Sequence, residues 1–174
     1  MSVVKWTSDI VQQHLYDTPS RLGPGMYVEL GCYKGGSAIC IAKGIQDSGV
    51  GALLITVDAF DGHALNPKYA GTFSIETVRA SFDKEGVSSF IIPIQGLTAD
   101  VAADYSNTEF NFLFIDADHE YAGCKADFEA WSPLVKSGGE IAFHDNDQQN
   151  VQRVLSEIPW SKVEVEKLTV FTKP

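Results

Sequence analysis

Short apolar runs typical of β-strands alternate with amphipathic helical patterns along almost the whole sequence. The run at residues 52–60 is nearly continuously apolar, as expected for a strand in a sheet that is covered on both faces. This alternation favours an α/β fold, in which a mostly parallel sheet lies between two layers of helices. The predicted strands are 26–30, 52–60, 90–94, 110–115 and 140–144, and the predicted helices are 7–16, 38–45, 74–84, 121–135 and 151–158.

The C-terminal part of the sequence predicts a different connection. Residues 162–168 and 169–173 can form an antiparallel pair of strands that closes a doubly wound, Rossmann-like sheet. Pro93 lies in the third predicted strand and indicates an edge position, because proline cannot donate a hydrogen bond to a neighbouring strand. Residues 19–25 predict a turn-rich link. We expect residues 1–174 to form one domain, since this length supports one well-packed core.

The composition excludes several classes of function. The formal net charge is −10, whereas a nucleic-acid surface requires a clustered basic stripe. Cys32, Cys40 and Cys124 form no C-x-x-C pair, which favours reduced thiols over a disulfide framework or a zinc site. The sequence shows no basic and apolar leader and no apolar run long enough to span a membrane. We therefore expect a cytoplasmic protein without a nucleic-acid or membrane partner.

The stretch Val28-Glu29-Leu30-Gly31-Cys32-Tyr33-Lys34-Gly35-Gly36-Ser37 predicts a strand, a glycine turn and the start of a helix. Such a turn lets the backbone approach an anionic group, which the free N–H groups and the helix dipole attract. A dinucleotide fingerprint needs G-x-G-x-x-G, but Tyr33 stands at its second glycine. The pattern is instead E-x-G-x-x-x-G, through Glu29, Gly31 and Gly35. An acidic residue within the motif favours a ligand that carries both a carboxylate and a cation over a pyrophosphate.

This motif resembles motif I of the class I S-adenosylmethionine-dependent methyltransferases. The resemblance implies that S-adenosyl-L-methionine binds at the turn, in contact with Glu29, Gly31, Tyr33, Gly35 and Ser37.

Further cofactor contacts are expected where the other strands end, because open α/β sheets bind ligands at the carboxyl ends of their strands. Asp58 can accept hydrogen bonds from two ribose hydroxyls, or it can simply cap a turn, and Asp61 competes for the ribose role. Gly96 and Leu97 could line an adenine pocket through their backbone groups. Asp116 ends the fourth strand and is expected to contact the cofactor as well.

The sequence Asp116-Ala117-Asp118-His119 is a more specific signal. It resembles the cation-dependent O-methyltransferases related to the catechol and caffeoyl-CoA enzymes, which carry Asp-Ala-Asp-Lys there. The methyltransferase 24 family and the macrolide sugar O-methyltransferases have a histidine in place of the lysine. The resemblance covers roughly residues 26–150 and implies that Asp116, Asp145 and Asn146 bind Mg²⁺ or another divalent cation.

Elementary chemistry is compatible with such a metal site. Mg²⁺ prefers oxygen ligands, and neighbouring strands lie about 4.8 Å apart, so carboxylates at adjacent strand ends can share an ion. His144 adds an imidazole, which a softer metal such as Mn²⁺ or Fe²⁺ could recruit. Alternatively, Asp116 and Asp145 only cap helices.

His119 takes the position of the lysine that the resemblance identifies as catalytic. Its reference pKa of about 6.5 suits proton abstraction at neutral pH, and three acidic residues surround it in the sequence. We therefore expect His119 to act as the general base. Residues 61–73 form an unusually long connection that could serve as a lid over the substrate, with His63 within reach of it.

The leading hypothesis is a divalent-cation-dependent O-methyltransferase that acts on the hydroxyl of a small molecule. The alternatives are a metal-independent N- or O-methyltransferase and a non-catalytic module that binds S-adenosylmethionine. A nucleotide-dependent oxidoreductase is the least favoured, because the second glycine of its fingerprint is missing. The sequence does not identify the acceptor, and it leaves a homodimer open.

Overall fold

The computed structural model describes residues 7–60 and 73–174. The strands are β1 (Gly25–Leu30), β2 (Ala52–Asp58), β3 (Ile91–Gln95), β4 (Phe110–Ile115), β5 (Val135–Phe143), β6 (Lys162–Val165) and β7 (Leu168–Thr172). They form one sheet in the order β3-β2-β1-β4-β5-β7-β6. Only β7 runs antiparallel to its neighbours, β5 and β6. The predicted Rossmann-like sheet with a C-terminal antiparallel pair is confirmed.

The helices pack on both faces of this sheet. They are α1 (Asp9–Leu22), α2 (Gly36–Ser48), α3 (Ile75–Glu85), α4 (Thr98–Val101), α5 (Tyr121–Trp131) and α6 (Gln149–Ser156). Side chains of the central strand β4 alternate between two apolar cores: Phe112 and Phe114 belong to one, and Leu113 and Ile115 belong to the other. None of the helices in the described ranges is long and apolar enough to cross a membrane.

The edge position predicted for the third strand is confirmed, because within residues 7–60 and 73–174 β3 pairs with β2 alone. Pro93 faces Thr56 of β2 in this ladder. The proline therefore lies in an edge strand, where the missing backbone N–H removes the fewest hydrogen bonds between strands.

Two predicted boundaries are wrong. Residues 19–25 are not a simple link, because α1 continues through Pro19 to Leu22. A proline inside a helix removes one backbone hydrogen bond, but burial of Pro19 offsets this loss. The helix ends at Gly23, whose φ of 76° stops the helical path and whose N–H donates to the Pro19 carbonyl oxygen at 2.9 Å.

The second difference concerns the approach to β5. Helix α5 ends at Trp131, before the predicted residue 135, and a short 3-10 helix containing Pro133 follows it. Strand β5 then starts at Val135, before the predicted residue 140, and includes Gly138 and Gly139. The glycines lie where the register between β4 and β5 shifts, so the strand is irregular at this point.

Close packing between α1 and α2 depends on Gly44. A Cβ atom at this position would lie 2.0 Å from the carbonyl oxygen of Tyr16 in α1. Because the obstacle is backbone, a larger residue at position 44 would have to push the two helices apart.

We expect Gly44→Ala to lower the free energy of unfolding by about 1–3 kcal/mol, the usual cost of an overpacked site. This loss should occur even though alanine favours a helix over glycine by about 1 kcal/mol. Urea denaturation of Gly44→Ala and of Gly51→Ala tests it, because the structure leaves open space for a methyl group at Gly51. Equal stability of the two variants would contradict the assigned packing.

Candidate active site

The turn after β1 lies directly against the end of β4. The N–H of Asp116 donates to the carbonyl oxygen of Leu30 at 2.8 Å. Gly31 has a φ of +89°, and a Cβ atom there would lie 2.2 Å from the carbonyl oxygen of Asp116. Only glycine fits both the conformation and the space. The predicted cofactor turn and the predicted metal-binding strand end are therefore in contact.

Asp58 holds the same turn from the end of β2. Its Oδ2 atom accepts hydrogen bonds from the backbone N–H groups of Cys32 and Tyr33, both at 2.8 Å. Its Oδ1 atom accepts from the N–H of Phe60 at 2.9 Å. The structure thus shows the turn-capping role that the sequence left open. The ribose role stays a prediction, and it is compatible with capping because a carboxylate offers about four acceptor positions.

Glu29 lies in β1 beneath the turn and is 0% exposed. The Thr56 hydroxyl donates to its Oε2 atom, while Oε1 has no hydrogen-bond partner among the described residues. Burial raises the pKa of Glu29 to about 8, against the lowering effect of the Ser37 and Thr56 hydroxyls. Below that pH the carboxyl group holds a proton. The observed position supports the turn from inside the protein, and contact with a cofactor stays a prediction.

The other residues of the motif surround the turn. Gly35 has a φ of +83°, and a Cβ atom there would lie 2.8 Å from the Phe82 ring of α3. Ser37 is buried in the first turn of α2. The Tyr33 ring packs edge-on against Phe73, with 5.0 Å between the ring centroids. The rest of the predicted lid, including Asp61 and His63, lies outside the described residues.

Gly96 and Leu97 follow β3 on the other side of Asp58. The N–H of Gly96 donates to the Asp58 carbonyl oxygen at 2.9 Å, and Leu97 is 66% exposed. The next residue, Thr98, is held by α5, because its hydroxyl donates to Asp127 Oδ1 at 2.5 Å and its carbonyl oxygen accepts from Trp131 Nε1 at 2.8 Å.

Asp127, which accepts this bond from Thr98, is a residue to which the sequence interpretation gave no role. It is only 2% exposed, and burial raises its pKa to about 6. One sequence signal for Asp127 was available: its carboxyl group lies on the buried face of α5. The apolar residues of that face are Cys124, Phe128 and Trp131. Its partner Thr98 is 29 residues away in the sequence, so the pattern of α5 alone could not identify that contact.

Asp116, His144 and Asp145 form a cluster at the ends of β4 and β5. One ligand atom from each residue lies within 4.8 Å of the others. His144 Nδ1 is 3.3 Å from Asp116 Oδ1 and 3.3 Å from Asp145 Oδ1. Asp145 has a φ of +54°, an uncommon conformation for a residue other than glycine, asparagine or aspartate. Hydrogen bonding to His119 and nearby imidazole charge hold the pKa of Asp145 well below its usual range.

His119 lies against the same two carboxylates. Its Nε2 atom is 3.4 Å from Asp116 Oδ1 and 3.2 Å from Asp145 Oδ2. Hydrogen bonding to Asp116 and Asp145 raises the pKa of His119 to about 10, although burial opposes this. In the metal-free protein the imidazole is therefore cationic at neutral pH and compensates the two carboxylates.

Two of the three acidic residues expected around His119 form hydrogen bonds with other groups. Asp118 Oδ1 accepts a hydrogen bond from the N–H of Glu120 at 2.9 Å, and Glu120 binds the side chain of Asn150. The carboxylate missing from the sequence expectation is Asp145, which β5 brings to β4 through long-range pairing.

Asn146 and Lys167 complete the edge of this cluster. The amide nitrogen of Asn146 donates to the Glu166 carbonyl oxygen at 3.0 Å and to Thr169 Oγ1 at 3.2 Å. Its predicted role as a metal ligand stays a prediction. Lys167, which the sequence did not indicate, lies 3.6 Å from Asp145 Oδ1 and 3.1 Å from Asp147 Oδ2.

The raised pKa of Glu29 predicts a pH effect on stability. The folded protein favours the protonated carboxyl group, so its stabilising contribution is complete below the unfolded-state pKa of about 4.5 and is lost as pH rises through about 8. Because glutamine resembles the protonated form, Glu29→Gln should gain stability over the wild type between pH 5 and 8.5, on the order of 1 kcal/mol or more. Urea denaturation across this range measures the difference.

The exposed position Glu109 provides the matched control. Glu109→Gln should follow the wild-type pH profile. Parallel profiles for Glu29→Gln and the wild type would show that Glu29 does not titrate as its burial requires.

Comparisons with known proteins agree with the fold and the order of these motifs. The sequence profile of the methyltransferase 24 family, described as a methyltransferase domain, matches residues 28–146. The uncharacterized protein y4gI of Sinorhizobium fredii is 25% identical over 127 residues, which cover 72% of this chain and 14% of that relative. The chain therefore corresponds to a small part of that protein.

Similar solved structures include the O-methyltransferase NovP, with a TM-score of 0.75 and 17% identity over 94% of this chain and 77% of that one. The O-methyltransferase from Bacillus cereus in complex with SAH has a TM-score of 0.73 and 18% identity, covering 98% and 84% of the two chains. SAH-bound methyltransferase PaMTH1 of Podospora anserina has a TM-score of 0.74 and 20% identity, covering 98% and 80%. At these identities the likeness establishes the fold alone. The family profile, in contrast, spans more than half of the sequence, and the chain belongs to the methyltransferase 24 family of methyltransferase domains.

Proposed function

We propose that this domain transfers a methyl group from S-adenosylmethionine to a hydroxyl oxygen of a small-molecule acceptor. The contact between Gly31 and the carbonyl group of Asp116 carries this proposal. It places the glycine turn next to the cluster of Asp116, His144 and Asp145, so that a methyl donor and an acceptor hydroxyl can lie side by side. Methyl transfer breaks a sulfur–carbon bond, forms a carbon–oxygen bond and releases the hydroxyl proton.

The cofactor is assigned to the turn and to the neighbouring strand ends. The backbone of the turn from Gly31 to Gly35, with Glu29 beneath it, would hold the amino-acid part of S-adenosylmethionine. Asp58 would accept one hydrogen bond from a ribose hydroxyl, since three N–H donors leave one of its about four acceptor positions available. The backbone of Gly96 and Leu97 would line the adenine pocket.

Asp116, Asp145 and Asn146 are the proposed ligands of a divalent cation, and His144 offers a nitrogen in the same cluster. The fit rests on two carboxylates that converge at adjacent strand ends and require positive charge beside them. When bound, the cation would supply Lewis acidity, which lowers the pKa of an acceptor hydroxyl.

His119 is the proposed proton acceptor. For this role its imidazole must first lose the proton that Asp116 and Asp145 stabilise, a loss that a cation held beside these carboxylates would favour. Its Nε2 atom lies within 3.4 Å of both Asp116 and Asp145, and its side chain is 32% exposed. Nε2 is itself buried against these carboxylates, so a substrate would approach the exposed part of the ring. Positioned general bases contribute roughly 10²–10⁴-fold to a rate.

A metal-independent N- or O-methyltransferase is the second candidate. The geometry of the two histidines favours it, because His119 and His144 can compensate the charges of Asp116 and Asp145 without a metal ion. The acceptor assay below separates the two candidates.

Gly31→Ala tests the cofactor assignment. The added methyl group would overlap the Asp116 carbonyl and distort the turn, so SAH binding should be lost. Gly138→Ala is the matched control, because Gly138 has a similar φ of +77° but open space around it. Calorimetry that finds wild-type SAH affinity in Gly31→Ala would contradict the assignment.

The proposed reaction is tested by incubating the protein with S-adenosylmethionine and a panel of catechols, phenols, sugars and amines. We expect transfer to a hydroxyl acceptor that EDTA stops and added divalent cations restore.

Asp116→Ala and Asp145→Ala should lose the cation response while binding SAH nearly as well as the wild type. His119→Ala should lower turnover by roughly 10²–10⁴-fold, and His119→Lys should retain more activity because related enzymes carry lysine there.

Undiminished turnover in EDTA would select the metal-independent enzyme. Tight SAH binding without transfer to any acceptor would instead support a non-catalytic module. His14→Ala is the control, because His14 lies on α1 beside Arg21 and outside the cluster.

A further inference from the structure

His144 has a fixed and buried position in the cluster. It follows β5 directly, its N–H donates to the carbonyl oxygen of Ile115 at 3.1 Å, and its side chain is 7% exposed. The Phe114 ring meets the imidazole edge-on, with 6.3 Å between the centroids. The backbone and the core together determine where the ring points.

The two ring nitrogens of His144 face different partners. Nε2 lies 3.2 Å from the hydroxyl oxygen of Thr7, which can accept a hydrogen bond from an Nε2–H group. In that tautomer the lone pair of Nδ1 points at carboxylate oxygens of Asp116 and Asp145, both 3.3 Å away. A histidine that ligates a metal is typically held by a hydrogen bond from its other ring nitrogen, and Thr7 is in position to accept such a bond from Nε2 of His144.

The separations also suit a coordination sphere. Ligands about 2.1 Å from an octahedral ion lie about 3.0 Å from their nearest neighbours in the sphere. The contacts of 3.3 Å between Nδ1 and the two carboxylates are close to this value. His119 approaches the other oxygen of Asp145, Oδ2, so the two imidazoles do not compete for the same atom of that residue.

An imidazole ligand changes which metal the cluster prefers. Mg²⁺ is a hard ion that keeps oxygen ligands, whereas Mn²⁺, Fe²⁺ and Co²⁺ accept imidazole nitrogen together with carboxylates. We infer that His144 binds the metal through Nδ1, that Thr7 positions the imidazole, and that the centre selects a transition metal over Mg²⁺. This inference rests on the metal centre of the proposed function and specifies its ligand set.

The test measures metal binding and ligand identity directly. Metal-depleted protein is titrated with Mn²⁺, Co²⁺ and Mg²⁺ in competition with a fluorescent chelator, and pulsed EPR of bound Mn²⁺ detects coupling to ¹⁴N. Wild-type protein should bind Mn²⁺ and Co²⁺ more tightly than Mg²⁺ and show coupling from a directly bound imidazole. His144→Asp should lose this coupling and reduce the preference for Mn²⁺ over Mg²⁺, because an oxygen replaces the nitrogen.

Two variants assign the effect to particular residues. His119→Ala should keep the ¹⁴N coupling, since its ring is not the proposed ligand. Thr7→Val should keep the coupling but lower Mn²⁺ affinity by roughly 10–100-fold, the usual effect of removing a hydrogen bond that orients a ligand. Circular dichroism and SAH binding establish that each variant is folded.

Absence of ¹⁴N coupling in the wild type, its loss in His119→Ala but not in His144→Asp, or tighter binding of Mg²⁺ would overturn the inference. Failure to bind any of the three metals would overturn it as well.

The acceptor assay distinguishes this failure from failure of the proposed function. A Mg²⁺-activated methyltransferase without nitrogen coupling would retain that function with a different ligand set, whereas nitrogen-bound Mn²⁺ in a protein that does not bind SAH would refute the function alone.

Discussion

Gly31 packs its α-carbon against the carbonyl group of Asp116, and the separation leaves no space for a side chain. The neighbouring hydrogen bond from the Asp116 N–H to the Leu30 carbonyl oxygen holds the end of β4 beside the end of β1. Asp58 then draws the turn toward β2 through the N–H groups of Cys32 and Tyr33. The turn is thereby held on two sides by neighbouring strand ends, and any ligand bound to it must lie next to Asp116.

Charge is the second constraint on the site. Asp116 and Asp145 bring two carboxylates together in a protein that already carries an excess of acidic residues. Lys167 and two imidazoles surround them, so the cluster is compensated from several directions. Like charges at this separation are tolerated only with such partners. The cation affinity that we propose for the cluster would arise from the same repulsion between carboxylates.

Sequence patterns predicted the sheet because each strand carries its own signal, such as the apolar run of β2 or the edge proline of β3. They also indicated Asp58, Asp116 and His119, since strand ends in a parallel sheet share one edge. Pro19 led to a wrong helix boundary, because its burial in the fold outweighed the tendency of proline to end a helix. The contacts of Asp127, Lys167 and Thr7 were beyond sequence reasoning, because each joins elements far apart in the chain. The acidic partner of His119 was misjudged for the same reason: Asp145 is adjacent only after β4 and β5 have paired.

The two histidines differ in a way that separates their proposed roles. His144 is almost completely buried, its backbone N–H donates to Ile115, and its Nε2 atom contacts the Thr7 hydroxyl, so movement would disrupt several contacts at once. His119 lies on the loop before α5, and its imidazole is 32% exposed. A metal ligand benefits from a rigid position, because reorganisation on binding costs affinity. A proton acceptor needs access to the substrate and to water, since it must release the proton before the next reaction. The difference in burial thus supports the proposed ligation by His144 and the proposed proton transfer by His119, although both imidazoles contact the same pair of carboxylates.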